Sequence, residues 1–198
     1  LLTLLTLLTL LTLFYLLRIP THDLLLQVAS VLSLARALFG DFDIDDISDA
    51  RSELPHMAPP VEKFMSRMRA MGVGDGHQVV VYDGAGLFSA ARVWWLFRLM
   101  GQKNIAVLDG GLPKWRAEGH PTTAAPPIIR DRHMTVKYEA NRVRDVTDVA
   151  RAAKLGDHSV IDARAPARFR GAAPEPRPGM RSGHIPGSVN VFYKDLLN

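Results

Sequence analysis

A chain of 198 residues with 47% hydrophobic and 22% charged positions has the size of one large domain or two small ones, and is too apolar for a disordered tail. Lys and Arg number 24 against 20 Asp and Glu, a formal net charge of +4; basic and acidic residues are interleaved, which argues against a nucleic-acid partner. Cysteine is absent, so these residues hold no disulfide, thiolate metal site, iron–sulfur ligand or thiol nucleophile.

The first 40 residues contain 17 Leu and only three charges, Arg18, Asp23 and Arg36. Leu-Leu-Thr occurs four times over 1–12, and no charge appears before Arg18. Seventeen uncharged residues are at the lower limit for spanning a bilayer, which takes about 20 apolar residues. A strict period of three matches neither the helical period nor the strand period. The run reads either as a membrane-associated segment or as a non-native leader, and neither flank resembles a signal peptide. Residues 23–39 form a second apolar stretch of helical character, with Gly40 as its stop. The acids Asp41, Asp43, Asp45, Asp46 and Asp49 have alternate spacing, but a calcium loop starting at Asp41 needs Gly where Asp46 stands and Glu where Ser52 stands.

From Val61 the pattern becomes regular. Val61, Phe64, Met65, Met68 and Met71 share a helical face, and Gly72 and Gly74 end that helix. Residues 78–82 read as a buried strand, 87–100 as a helix apolar nearly all round with Trp94 and Trp95 inside it, 105–108 as a strand and 112–118 as a helix. Strands alternating with helices predict an α/β fold, a parallel sheet flanked by helices. Pro121, Pro126 and Pro127 mark a linker. Beyond it, Val146, Val149, Ala150 and Ala153 predict an amphipathic helix, and 159–162 and 188–192 predict strands. The expected organisation is therefore a Leu-rich helical leader at 1–40, a partial first domain at 41–120, a Pro-containing linker at 121–135, and the opening part of a second domain at 136–198. About 60 residues of an incomplete sheet are marginal as a core of their own.

Four stretches together resemble the tandem-domain rhodanese and 3-mercaptopyruvate sulfurtransferase family. They are Tyr82-Asp83-Gly84-Ala85-Gly86-Leu87-Phe88-Ser89-Ala90-Ala91-Arg92 within 79–95; Leu108-Asp109-Gly110-Gly111-Leu112-Pro113-Lys114-Trp115; Asp162-Ala163-Arg164 with Arg168-Phe169-Arg170-Gly171 and Pro174-Glu175-Pro176-Arg177; and Ser182-Gly183-His184-Ile185-Pro186-Gly187-Ser188-Val189-Asn190. Their order and spacing over about 150 residues carry the resemblance. It implies two rhodanese-like domains in tandem, both incomplete here. In that family the second domain carries a Cys, on the loop after a central strand. That Cys takes sulfur from 3-mercaptopyruvate or thiosulfate as a persulfide and hands it to a thiol or cyanide. Similar proteins carry this loop some tens of residues beyond the position of Asn198. No catalytic residue is therefore assigned in this chain, which is expected to be inactive alone.

The resemblance further implies that Arg168 and Arg177 bind the donor's carboxylate or sulfonate, both suited to a guanidinium fork. Having both arginines favours 3-mercaptopyruvate over thiosulfate. The implied partners are a small anionic sulfur donor and a thiol acceptor, such as a reduced thioredoxin-type protein or a small thiol. Arg164, Arg170 and Arg181 are expected to hold the loop through Glu175 or Asp162, or to face water, and His184 to stabilise its turn. The loop at Asp83-Gly84-Ala85-Gly86 places a carboxylate about where a thiolate would sit, and is expected to be structural. No cofactor is implied. The seven His residues show neither helical pairing nor Cys partners, so no metal site is expected. Family habit suggests the cytoplasm, with membrane association through 1–17 as the alternative; an anion- or partner-binding module without catalysis is the rival function.

Overall fold

The computed structural model describes residues 44–54, 56–125, 128–177 and 179–197. The Leu-rich run, the apolar stretch at 23–39 and the acids Asp41 and Asp43 lie outside the described residues. The chain divides into two compact units, 1–138 and 139–198.

In the first unit a 3-10 turn, Ile44–Ile47, precedes helix α1, Val61–Ala70. Pro60 stands at the helix N-cap with φ −57°, and Phe64 and Met68, four residues apart, are fully buried. Strand β1, Val79–Val81, pairs in parallel with β2, Ile105–Val107, in the register Val79 to Ile105 and Val81 to Val107. Between them runs α2, Ala90–Leu99, whose Val93, Leu96, Phe97 and Leu99 are buried. The Phe64 ring meets Phe97 edge-on at 5.1 Å, an arrangement that aromatic quadrupoles favour, and joins α1 to α2. A parallel pair requires such a crossover, so β1, α2 and β2 form the unit that the alternation predicted.

One expectation about α2 needs correction. It starts at Ala90 and not near Leu87, because Leu87 has φ +78° and cannot begin a helix. Trp94 and Trp95 lie within it and are half-buried, and Arg98 lies 5.9 Å over the Trp94 ring. Helix α3, Gly111–Ala117, follows β2.

The stretch 128–137, the end of the linker expected at 121–135 together with residues 136–137 expected to open the second domain, is held against the first unit by its own backbone. Asp75 N donates to His133 O at 2.9 Å, and Lys137 N to Met100 O at 3.0 Å. Asp75 in turn receives Thr135 N and Oγ1 at 2.9 and 2.6 Å, and Gln102 donates to Thr135 O at 2.8 Å. Gly101, at φ +86°, makes the approach possible: a Cβ there would stand 2.4 Å from Lys137 O. Met134, 3% exposed, drives the strap into the core. Composition shows the missing helix in this stretch, but not the hydrogen bonds that replace it.

The second unit is thin. Helix α4, Val146–Leu155, is well closed at both ends, by the Asp145 side chain accepting from Asp148 N and by Gly156 in the left-handed region. None of its residues is buried. Strand β3, Ile161–Asp162, pairs in parallel with β4, Val189–Asn190, shorter than the strands expected at 159–162 and 188–192. A one-turn helix, α5, Pro166–Phe169, follows β3, and a 3-10 turn, Tyr193–Leu196, follows β4.

Met134→Ala should lower stability by about 2–5 kcal/mol, the usual cost of truncating a buried methionine. Ile128→Ala, at an 89% exposed position of the same stretch, should change it by less than about 0.5 kcal/mol. Urea unfolding of both variants checks this; equal effects would mean that the strap is only a linker.

Candidate functional site

The first loop with chemistry follows β1. Asp83 is 3% exposed, and a carboxylate taken out of water needs donors. Its Oδ1 accepts from Ala85 N and Leu87 N at 2.9 and 3.0 Å, and its Oδ2 from Ser89 N and Ala90 N at 2.8 and 3.0 Å. The last two amides open α2 and have no helical acceptor of their own, so the side chain also caps that helix. Burial pushes the Asp83 carboxyl upward, and the amides of Ala90, Ser89, Ala85 and Leu87 together outweigh it, so its pKa lies below the usual value. Asp83 O accepts from Leu112 N at 3.0 Å, and a Cβ at Gly111, whose φ is +57°, would stand 2.8 Å from that same oxygen. The loop after β2 is thereby pressed onto the loop after β1. The cradle already holds its own anion and leaves no place for a second.

The other loop lies in the second unit, between β3 and β4. Asp162 at the end of β3 accepts from Arg164 N and from its guanidinium, with Arg164 Nη2 to Asp162 Oδ2 at 2.6 Å. Arg164 Nη1 donates to Glu175 Oε1 at 2.7 Å and Nη2 to Gly183 O at 2.7 Å. Arg168, on α5, donates through Nη2 to Glu175 Oε2 at 2.5 Å. The Glu175 side chain is 1% exposed and gives one oxygen to each arginine. Asn190 on β4 closes the arrangement, donating to Asp162 O and Arg164 O at 2.9 Å each. The hydrogen bond from Arg168, with its charge and that of Arg164, holds the Glu175 carboxyl below the ordinary range. Arg164 does the same for Asp162, again first through its hydrogen bond.

Arg164 thus holds the loop through both carboxylates, as the sequence suggests. His184 donates from Nδ1 to Phe169 O at 2.7 Å and stacks on the Phe169 ring at 3.8 Å, which pins its turn. The two predicted donor-binding arginines are placed differently. Arg168 lines an open cleft of about 440 Å³ with Ala163, Arg164, Ala165, Phe192, Tyr193 and Lys194. Arg177 lies outside that lining, exposed, with no hydrogen bond or ion pair among the described residues. The guanidinium fork expected of Arg168 is half used: Nη2 is on Glu175, and Nε is sealed from solvent without a partner. Sequence reasoning named Glu175 as a carboxylate holding the loop through Arg164, and missed that Arg168 shares it and that its side chain is sealed between the two. Phe192, Tyr193 and Lys194 carried no signal. Among the described residues no group of His, Asp and Glu is placed to hold a metal.

Asp83→Asn should cost about 1–3 kcal/mol at pH 7, because the amide offers one acceptor oxygen where the carboxylate offers two. A lowered folded-state pKa means that the stabilisation is present above the unfolded value, near 3.9, and is lost as pH falls through the folded value. The gap between wild type and Asp83→Asn should therefore be constant above about pH 5 and narrow below about pH 4, read by denaturant unfolding across pH.

The rhodanese-like domain family matches residues 38–118. The chain is 42% identical to the Arabidopsis thaliana thiosulfate/3-mercaptopyruvate sulfurtransferase 1, mitochondrial, across 87% of this chain and 51% of that protein. It is 39% identical to the Escherichia coli 3-mercaptopyruvate sulfurtransferase, across 79% of this chain and 56% of that one. The crystal structure of SseA from Escherichia coli, a 3-mercaptopyruvate sulfotransferase, superposes with a TM-score of 0.71 at 36% identity, covering 79% of this chain and 58% of that one. The Saccharomyces cerevisiae Tum1 structure gives 0.67 at 32% identity, covering 79% and 55%. The chain spans about half the length of the curated relatives it matches. With a rhodanese-like domain matched over 38–118 and a rhodanese-like α/β fold, the chain is similar to the 3-mercaptopyruvate sulfurtransferases of several species.

Proposed function

We propose that this chain carries the donor-binding part of a sulfurtransferase of the 3-mercaptopyruvate or thiosulfate type. The observation that supports it is Arg168, held by a sealed carboxylate at the wall of an open cleft, with an uncompensated arginine on the same loop. Arg177 supplies attraction at a distance, because no carboxylate of the described residues offsets it. Arg168 supplies a fixed contact through its Nη1 amino group. Together they suit an anion with a carboxylate or sulfonate at one end and a transferable sulfur at the other, and two such arginines favour 3-mercaptopyruvate.

The sulfur-carrying step needs a thiolate, which holds sulfane sulfur as a persulfide and passes it to a thiol acceptor such as a thioredoxin-type protein, a small thiol or cyanide. These 198 residues contain no Cys, and Asp83 cannot substitute, because a carboxylate forms no persulfide. Residues 1–198 alone therefore bind donor without turning it over, which also describes the reading as an anion-binding module. The domain division is part of the same proposal: a first rhodanese-like domain without catalytic chemistry at 41–120, and the opening of a catalytic-type domain at 136–198. A cytoplasmic placement belongs here too, although one relative is named as mitochondrial. Among the described residues no helix is long and apolar enough to cross a membrane.

Calorimetry with 3-mercaptopyruvate and with thiosulfate at low salt tests the reading. Both should bind the 198-residue chain, and Arg168→Ala and Arg177→Ala should each weaken binding about tenfold, or about 1.4 kcal/mol. Thiocyanate formation from cyanide should stay at the uncatalysed rate. Turnover by this chain, or binding undiminished in both variants, would falsify the proposal.

A further inference from the structure

The ion-pair network on the cleft wall is not itself an anion attractor; of the three cations lining the cleft, Lys194 alone stands outside it. Asp162 and Glu175 carry two negative charges, Arg164 and Arg168 two positive, and all four are joined by ion pairs of 2.5 to 2.7 Å. The cluster on the cleft wall is neutral as a whole. What the four residues provide is direction. Arg164 is held at three points, by Asp162, Glu175 and Gly183 O, and holds Glu175 in turn. Glu175, 1% exposed, has one oxygen on each guanidinium and so fixes the angle of the Arg168 side chain. With one N–H of Nη2 on Glu175 and Nε sealed, the Nη1 amino group is the part of Arg168 with no hydrogen bond among the described residues.

We propose that Glu175 is the positioning residue of the donor site: it holds the Nη2 side of Arg168 so that the Nη1 amino group of a fixed guanidinium meets the donor anion. This rests on the donor-binding reading above. The groups facing Glu175 are Arg164 and Arg168, with Asp162 one residue further along the network. Two guanidiniums this close repel once the carboxylate between them is gone, and the outer one, Arg168, is the one able to swing into solvent. The donor then meets a mobile arginine in place of a fixed one, and the cost of ordering it again reduces affinity.

The role separates from a purely structural one in the binding isotherm. A structural role lowers the fraction of competent chain, and so the stoichiometry, while leaving the dissociation constant of the remaining chains unchanged. A positioning role raises the dissociation constant of chains that are fully folded. Titrating thiosulfate and 3-mercaptopyruvate into the full 198-residue chain at pH 7, Glu175→Gln should weaken binding at least about tenfold at unchanged stoichiometry. Glu175→Asp keeps the charge, but one methylene shorter it cannot reach both arginines, and should weaken binding about threefold. That partial rescue decides the matter even if the Gln variant fails to fold. Dissociation constants within about twofold of wild type in the folded Glu175 variants, with Arg168→Ala still weakened, overturn the positioning role and leave the donor site standing. No binding by the wild-type chain overturns the donor site and Glu175's role with it.

Discussion

The carboxylate of Asp83, removed from water and met by four backbone amides, decides where β1 ends and α2 begins. A buried carboxylate without donors costs far more than a loop is worth, so the loop closes around it or the region does not fold. Once closed, its first and last donors lie within eight residues, α2 is capped, and the following loop is fixed through Leu112 N and the Cβ-free Gly111. The Phe64 and Phe97 contact then has a defined helix to pack on. Ordering of the polar loop and packing of the apolar core are therefore one event in the first unit.

The second unit uses the same device with a different partner. The Glu175 side chain, 1% exposed, is likewise covered but is answered by guanidinium groups and not by amides. An amide is fixed to the backbone, whereas an arginine has a long side chain with nitrogens to spare. The Asp83 arrangement is accordingly complete and inert. The Glu175 arrangement is complete on the carboxylate side and open on the arginine side. That difference in the donor is what the proposed ligand-binding role of the second loop rests on.

Much of this was legible from residue order. Phe64 and Met68 four apart, the three valines of β1 and the apolar run through Val93 and Phe97 specify elements by period alone, and all of these named residues but the half-buried Val80 are found buried. The start of α2 was not legible, because periodicity extends through Leu87 while the backbone there has already turned to positive φ. The Asp83 cap acts over six and seven residues, beyond the three-residue spacing by which capping is recognised in sequence. The strap was hidden because backbone hydrogen bonds leave no compositional trace: Thr135 and Lys137 look like any polar residues in a loop. Strand lengths in the second unit were overread for the opposite reason. Ser188 to Phe192 has strand composition, but only Val189 and Asn190 find a partner strand among the described residues.

The same contrast governs what charge means at the candidate site. Counting basic residues over 164–181 suggests a strongly attractive patch, yet two of the five arginines are neutralised by carboxylates that the fold takes out of water. Net positive charge belongs to the exposed members of the loop, Arg177 among them, and geometric precision belongs to the paired ones. On the proposed reading, a small anion approaching this loop meets long-range attraction first and a fixed contact second. Separating the two roles spares such a site the cost of burying an unpaired guanidinium while keeping the Arg168 guanidinium oriented. An arginine serving both roles would be either too solvated to be fixed or too buried to be charged at acceptable cost, so under that proposal a sealed glutamate is what one short loop needs in order to attract a donor and to orient it.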